Sequence, residues 1–290
     1  MARTDRIIGS GIAILLATAW AASADVLKAA EAPGAAPESI LAQQILDATG
    51  VRGGLVVHLG SGDGKLTAAL RADDRYLVHG LDADAQNVQA ARRHLQSLGL
   101  YGPVSVHQFD GQRLPYVDNL VNLVVAEDPG RVTTAEVMRV LSPNGVAYVN
   151  ENGRWTKSVK PRPPSIDEWT HWLHGADGNA VAADEVAGPP RGLQWIAKPL
   201  WSRHHNTVPS VSSFVSARGR VFYIVDEAPP GMHGDAPDQW ALVGRDAFNG
   251  VRLWRIPLAD WGWRAWSADW QCRFTTPTHI ARRLVAAGDR

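Results

Sequence analysis

Three glycines at alternate positions constrain this chain more than any other feature. In Val56–Leu70, VVHLGSGDGKLTAAL, an apolar run ends in Gly60, Gly62 and Gly64, and an amphipathic stretch follows. That is how a strand, a tight turn close to a ligand and a helix are written. Each glycine removes a Cβ, so the turn can be tight and its backbone can approach a ligand. A dinucleotide fingerprint G-x-G-x-x-G needs a third glycine at position 65, where Lys65 stands.

The surrounding sequence repeats a strand–helix rhythm. Residues 38–49 carry apolar positions at helical spacing, with Gly50 as a stop. Strands are expected over 55–59, 76–82, 104–109, 120–126 and 146–150. Helices are expected after the glycine turn to about Ala72, over 85–98, and from a Thr133/Glu136 capping box to Leu141, with 142–145 as a turn. Alternation of this kind predicts an α/β fold: a Rossmann-like parallel sheet of about five strands with flanking helices and right-handed crossovers. Ligands sit at the carboxyl ends of such strands. The glycine turn, Asp82, Asp110 and Glu127 all fall there.

The two ends of the chain read differently. Arg3 and Arg6, the apolar stretch Ile7–Trp20 and the small residues AASA at 21–24 form a three-part export signal, followed by an Ala/Glu/Pro linker over 25–36. The chain is expected to be exported or periplasmic if that signal is cleaved and cytoplasmic otherwise. The apolar run is short for a span, and the mature chain is expected to have none. Eleven of the twelve tryptophans lie after residue 150, which signals a second architecture. KPRPPS at 160–165 marks a connector, assigned to 154–168, and neither a sixth nor a seventh strand is expected after Val149. Beyond it come short β-like runs, including 215–227 and 245–258, with Asn249-Gly250 as a hairpin signal. VSARGR at 215–220 parallels VAAGDR at 285–290, so the end of the sequence reads as a cut through a longer repeat array. A formal net charge of zero gives no reason to expect nucleic acid as a partner. One cysteine, Cys272, excludes an internal disulfide and a cysteine zinc cluster.

Residues 37–153 resemble the class I S-adenosylmethionine-dependent methyltransferases. The resemblance rests on VVHLGSGDG, on VHGLDAD at 78–84 and on EVMRVLSPNGVAYV at 136–149. It implies S-adenosylmethionine as cofactor and an acceptor that remains unidentified. Carried over by position, Gly60, Ser61, Gly62 and Gly64 would face the methionine and ribose. Asp82 would accept from the ribose hydroxyls, Asp110 and Gly111 would lie near the adenine amine, and Glu127 would flank the transfer site. His58 and Asn122 stand where many members carry acids. Residues 169–290 resemble the opening of a quinoprotein-like β-propeller, through WTHWLHGADGN, LQW, RGRVFYI and GRDAFNGVRLWRIPL, with Trp254 docked between blades. Too few blades are present for pyrroloquinoline quinone to be expected.

Each residue also has a structural reading. The glycines serve a plain strand–helix turn, and Asp82 and Asp110 serve as helix N-caps. Glu127 reads as solvated loop and the tryptophans as packing. His171/His174 and His204-His205 read as structural or surface pairs, and no metal site is expected. Three functions follow: a methyltransferase-like enzyme, an exported quinoprotein-type redox protein, and a non-catalytic propeller scaffold with a vestigial nucleotide fold.

Overall fold

The structure, a computed structural model, describes residues 36–186, 188, 189, 192–200, 210–230, 237–266 and 277–288. The expected signal peptide at 1–24, almost all of the linker, His204, His205 and Cys272 lie outside them.

The first body runs α1 (Pro37–Thr49), β1 (Gly54–Leu59), α2 (Lys65–Ala69), β2 (Tyr76–Asp82), α3 (Ala85–Ser97), β3 (Val104–Gln108), β4 (Val121–Ala126), α4 (Thr134–Val140), β5 (Leu141–Glu151) and β6 (Arg154–Val159). Its sheet has the order β3-β2-β1-β4-β5-β6. The first five strands are parallel, and β6 pairs antiparallel to β5. After β1 the chain winds outward through β2 and β3, then returns to place β4 on the other side of β1. The strand order therefore reverses between β1 and β4, which is where an open α/β sheet forms its ligand crevice.

All six residues of β1 are buried, as expected of a central strand covered on both faces. One apolar layer joins Ile45 and Leu46 of α1, Leu66 of α2 and Val88, Ala91 and Leu95 of α3 to Val56, Val78 and Val106. The other joins Val137 and Val140 of α4 to Val57, Leu81 and Val124. Deeply buried branched chains such as Val56 and Leu95 each contribute about 1.5–3 kcal/mol by leaving water.

Several expectations are corrected. The helix after the glycine turn ends at Ala69, short of Ala72. The turn at 142–145 is a bulge inside β5: Val121 pairs with Leu141 and Leu123 with Val146, and Asn144 takes φ 64°. The absent sixth strand is present. Its residues, RWTKSV, open the segment read as a connector, and Trp155 stacks on Tyr148 at 4.8 Å. Lys157 Nζ donates to the carbonyls of Ala48 and Thr49 at 3.1 and 2.8 Å, satisfying the carboxyl end of α1.

The second sheet is antiparallel and consecutive: β7 (Val211–Ala217), β8 (Arg220–Asp226), β9 (Trp240–Asp246) and β10 (Arg252–Pro257), in the order β10-β9-β8-β7. Two short helices follow, α5 (Trp263–Trp266) and α6 (Thr278–Ala281). Trp254 stacks on Phe222 at 5.6 Å, within its own sheet. The β9–β10 turn docks on the first body. Asn122 Oδ1 accepts from Leu55 N–H at 2.8 Å and from Asn249 Nδ2 at 2.6 Å, and Asn122 Nδ2 donates to Asp246 Oδ2 at 2.7 Å. Asn249 Nδ2 also donates to Leu120 O at 2.9 Å. Burial holds the Asp246 carboxyl above the usual carboxylate range. A second aspartate at position 122 would face it across this junction, which gives Asn122 a structural reason.

Candidate cofactor site

The glycine turn leaves β1 through three left-handed residues, with φ 74° at Gly60, 50° at Gly62 and 84° at Gly64. L side chains pay a steric cost in that region, so glycine is the residue that fits. Gly60 N–H donates to Leu81 O at 2.8 Å, tying the turn to the end of β2. At Gly64 a Cβ would come within 2.8 Å of Ala91 Cβ, so this glycine also lets α3 approach. At Gly62 a Cβ would meet nothing within 4 Å. The turn thus has one crowded glycine against the core and one open glycine on its outer side.

Asp82 holds the turn in place. Its side chain is buried at the end of β2. Oδ2 accepts from Gly62 N–H at 2.9 Å, and Oδ1 accepts from Asp84 N–H at 2.9 Å. Asn87 Nδ2 approaches both oxygens at 3.3 Å. A carboxylate offers about four lone-pair sites, so these donors leave little spare capacity. A ribose hydroxyl would have to share an oxygen with Asn87 or displace its amide. The cap of α3 is Asp84, which accepts from Gln86 N–H at 2.7 Å; Asp82 does not cap it.

Ser61 is turned inward. It is buried, and a Cβ on Gly80 would come within 2.9 Å of Ser61 Cβ, so its side chain packs on β2. Its Oγ has no hydrogen-bond partner among the described residues. His58, beneath the turn, is buried with Nδ1 2.8 Å from Thr67 Oγ1 and Nε2 unpartnered. Burial pushes its pKa down to about 4, against the pull of the Asp82 charge. Position 58 therefore carries a neutral imidazole.

Asp110 and Gly111 form the next wall. Asp110 Oδ1 accepts from Gln112 and Arg113 N–H, both at 2.8 Å, and these backbone donors hold the carboxyl below the usual range. Arg131 Nη2 donates to Asp110 O at 3.0 Å. A Cβ on Gly111 would lie 3.7 Å from Ala83 Cβ, which sets this turn beside the end of β2. Glu127 follows β4 and is exposed. Its neighbour Asp128 brings a carbonyl 4.0 Å from where a Cβ on Gly60 would be. The loops after β1, β2, β3 and β4 thus border one crevice. Asn87 and Arg131 join it without any motif of their own. Only the helical position of Asn87, one turn into α3 after the acid, could have drawn attention to it.

A polar cluster lies lower on the sheet. His79 Nε2 is 2.7 Å from His107 Nδ1, and Tyr116 Oη is 2.6 Å from His79 Nδ1. Burial, with His107 nearby, pushes His79 down to about 4. In the second segment His174 Nε2 is bonded to Asp167 Oδ2 at 2.6 Å. Among the described residues no group of three or more His, Cys, Asp or Glu is placed to hold a metal ion. No helix among them is long and apolar enough to cross a membrane.

Residues 56–145 match the methyltransferase domain family. The matched span holds the glycine turn, Asp82, Asp110, Gly111 and Glu127. Among solved structures, a protein of Methanococcus maripaludis assigned as an S-adenosyl-L-methionine-dependent methyltransferase is 23% identical, with a TM-score of 0.36, covering 40% of this chain and 57% of its own. A SAM-dependent methyltransferase from Aquifex aeolicus is 20% identical, with a TM-score of 0.34, covering 37% and 62%. The YcgJ protein of Bacillus subtilis is 21% identical, with a TM-score of 0.34, covering 37% and 48%. The chain thus spans about half to three fifths of the length of these structures. No curated protein matches it.

Proposed function

We propose that the crevice above β1 and β4 binds S-adenosylmethionine, and that the α/β body is a methyltransferase-like domain. The observation that carries this reading is the bond from Gly62 N–H to the buried Asp82 carboxylate. It fixes an acid at the end of β2 beside a turn in which a Cβ on Gly62 would meet nothing within 4 Å. In this reading Gly60 and Gly62 admit the methionine and ribose, Asp82 takes the ribose hydroxyls, and Asp110 and Gly111 face the adenine. Ser61 contributes its backbone, since its side chain is turned inward. Glu127 stands nearest the methyl acceptor, whose identity stays open. Transfer would then depend on holding donor and acceptor in line.

The test is calorimetric titration of the full chain with S-adenosylmethionine, beside Asp82→Asn. Saturable binding at sub-millimolar donor is expected, weakened about tenfold in the variant, since a lost charged acceptor is worth about 1.5–3 kcal/mol. No saturable binding at about 1 mM donor removes the cofactor assignment. Equal affinity in Asp82→Asn removes the ribose assignment alone.

A second reading concerns residues 211–257. Four consecutive antiparallel strands have the form of a single propeller blade, and we read this sheet as one such unit in a scaffold beneath the α/β body. Export through residues 1–24 belongs to the same proposal. It would separate the domain from cytosolic donor and favour a binding or scaffold role over turnover. Fractionation of cells expressing the full chain decides the compartment.

A further inference from the structure

On the opposite side of the sheet from the glycine turn lies a cavity of about 470 Å³. It sits where the amino-terminal edge of the parallel strands meets the second sheet. Arg52 and Arg75 line it from the first body, and Arg218, Arg220, Phe248 and Trp254 line it from the second. Pockets of a few hundred Å³ at such junctions are where small molecules bind.

The charges are unevenly matched. Four guanidiniums line the cavity and one carboxylate, Asp246. That carboxylate is already engaged: Oδ2 accepts from Asn122 Nδ2 at 2.7 Å, and Oδ1 accepts from Phe248 and Asn249 N–H at 2.8 and 3.0 Å. Arg75 is held by Asp73, with Nη2 to Oδ2 at 2.6 Å. Arg52 reaches Asp47 only at 4.0 Å, between exposed groups. Arg220 is half-buried and stands opposite Asp246 in the β8–β9 pair, where its charge favours the ionised form of that carboxyl. A guanidinium presents five N–H donors in a rigid fork and cannot discharge itself by losing a proton. Four such forks line the cleft around a single carboxylate whose oxygens already accept three hydrogen bonds, which leaves the lining positive and suited to an anion. The apolar wall supplied by Trp254, Phe248 and Leu253 suits a flat ring beside that anion.

We propose that this cleft binds a small molecule carrying a phosphate next to a flat ring. Guanidiniums reach it from both bodies, and a tetrahedral anion with several oxygens can be gripped from two sides where a planar carboxylate offers one edge. The site is separate from the crevice above β1 and does not rest on it.

The test is calorimetry on the full chain at low salt with phenyl phosphate as the probe and benzoate as its carboxylate counterpart. Saturable binding of phenyl phosphate is expected, weakened about tenfold by Arg220→Gln and a few-fold by Arg52→Gln, and weakened again as ionic strength rises. S-adenosylmethionine titrations should be unchanged in both variants. Absence of saturable heat up to about 10 mM probe overturns the site. So does an unchanged affinity in both variants. Equal affinity for benzoate overturns the phosphate assignment. Should Arg220→Gln fail to fold, Arg52→Gln, an exposed side chain on the other wall, decides the matter alone.

Discussion

Strand β1 carries glycines at both of its ends, and the two ends have opposite surroundings. At the carboxyl end, Gly60 and Gly62 take positive φ with almost nothing near the place of a Cβ. At the amino end, Gly53 and Gly54 also take positive φ, 146° and 105°, but are hemmed in. A Cβ on Gly53 would meet Arg75 O at 2.9 Å and Leu253 Cδ2 at 3.0 Å, and one on Gly54 would collide with the Asn122 amide. The same residue type therefore does two jobs. An open glycine leaves room for something that arrives from outside. A crowded one leaves room for another part of the same chain, here the β9–β10 turn that Asn122 receives.

The largest effect expected from breaking this contrast is at Gly54. Alanine there pushes on Asn122 Oδ1, which is bonded to Leu55 N–H and Asn249, and it adds backbone strain. Loss of about 3–4 kcal/mol of stability is expected, the range for overpacking combined with a disrupted polar network. Urea unfolding measures it, and a loss under about 1 kcal/mol would show that the junction yields easily.

Asn122→Asp comes next. It places a second carboxylate against Asp246, whose pKa burial already raises. A loss of about 2–3 kcal/mol is expected at pH 8, the scale of an unpaired buried charge. The sign with pH follows from the proton count. A carboxyl whose folded pKa is raised binds its proton more tightly when folded, so its stabilising contribution is present in acid and is lost as pH rises through the folded value. The variant should therefore differ least from the parent at about pH 5 and most at pH 8. A penalty independent of pH would place the two side chains apart in solution.

Legibility in the sequence follows the same contrast. The carboxyl end of β1 was readable because strand, glycines and following helix are contiguous, and because Asp82 ends its own apolar run. The amino end was not. Asn122 meets Asp246 across 124 positions of sequence, and no periodicity reports a contact of that span. Asn122 could be read only as the lack of an acid. Strand β6 was hidden for another reason. An edge strand with mostly exposed residues has no buried face to impose alternation, and RWTKSV offers only Trp155 and the exposed Val159 as apolar markers. The capping box was half right. Thr133 Oγ1 accepts from Glu136 N–H at 3.2 Å, but the Glu136 carboxylate turns to Leu114 N–H and Arg139, which pins the loop before β4. The inward turn of Ser61 had no sequence signal, since it is set by the missing side chain of Gly80 on the neighbouring strand.

A smaller effect is expected from His58, beneath the open end. Its pKa lies at about 4 in the folded protein against 6.5 when exposed. Between those values the unfolded chain binds a proton that the folded chain refuses. The contribution is therefore present above about pH 6.5 and is lost as pH falls towards 4. From pH 7 to pH 5 this amounts to about 2 kcal/mol. His79 titrates in the same direction, so His58→Gln isolates the first group: the acid-side slope of stability should shrink by about one proton. An unchanged slope would show that water reaches Nε2.

The smallest expected effect on stability is at Gly62, and it is the one that sharpens the comparison. Alanine at φ 50° costs about 1 kcal/mol for the left-handed backbone, and the new methyl group meets nothing within 4 Å. The fold should therefore survive with a small fall in urea midpoint, whereas Gly54→Ala, a substitution of the same size, should lose several times as much. Binding should reverse the order. The Gly62 methyl group stands on the outer side of the turn, where the ribose and methionine are proposed to lie, so S-adenosylmethionine affinity should fall about tenfold while phenyl phosphate binding at the other edge stays constant. A Gly62→Ala protein as unstable as Gly54→Ala would mean that the carboxyl edge is packed like the amino edge. The difference between the two ends of β1 would then be one of backbone alone.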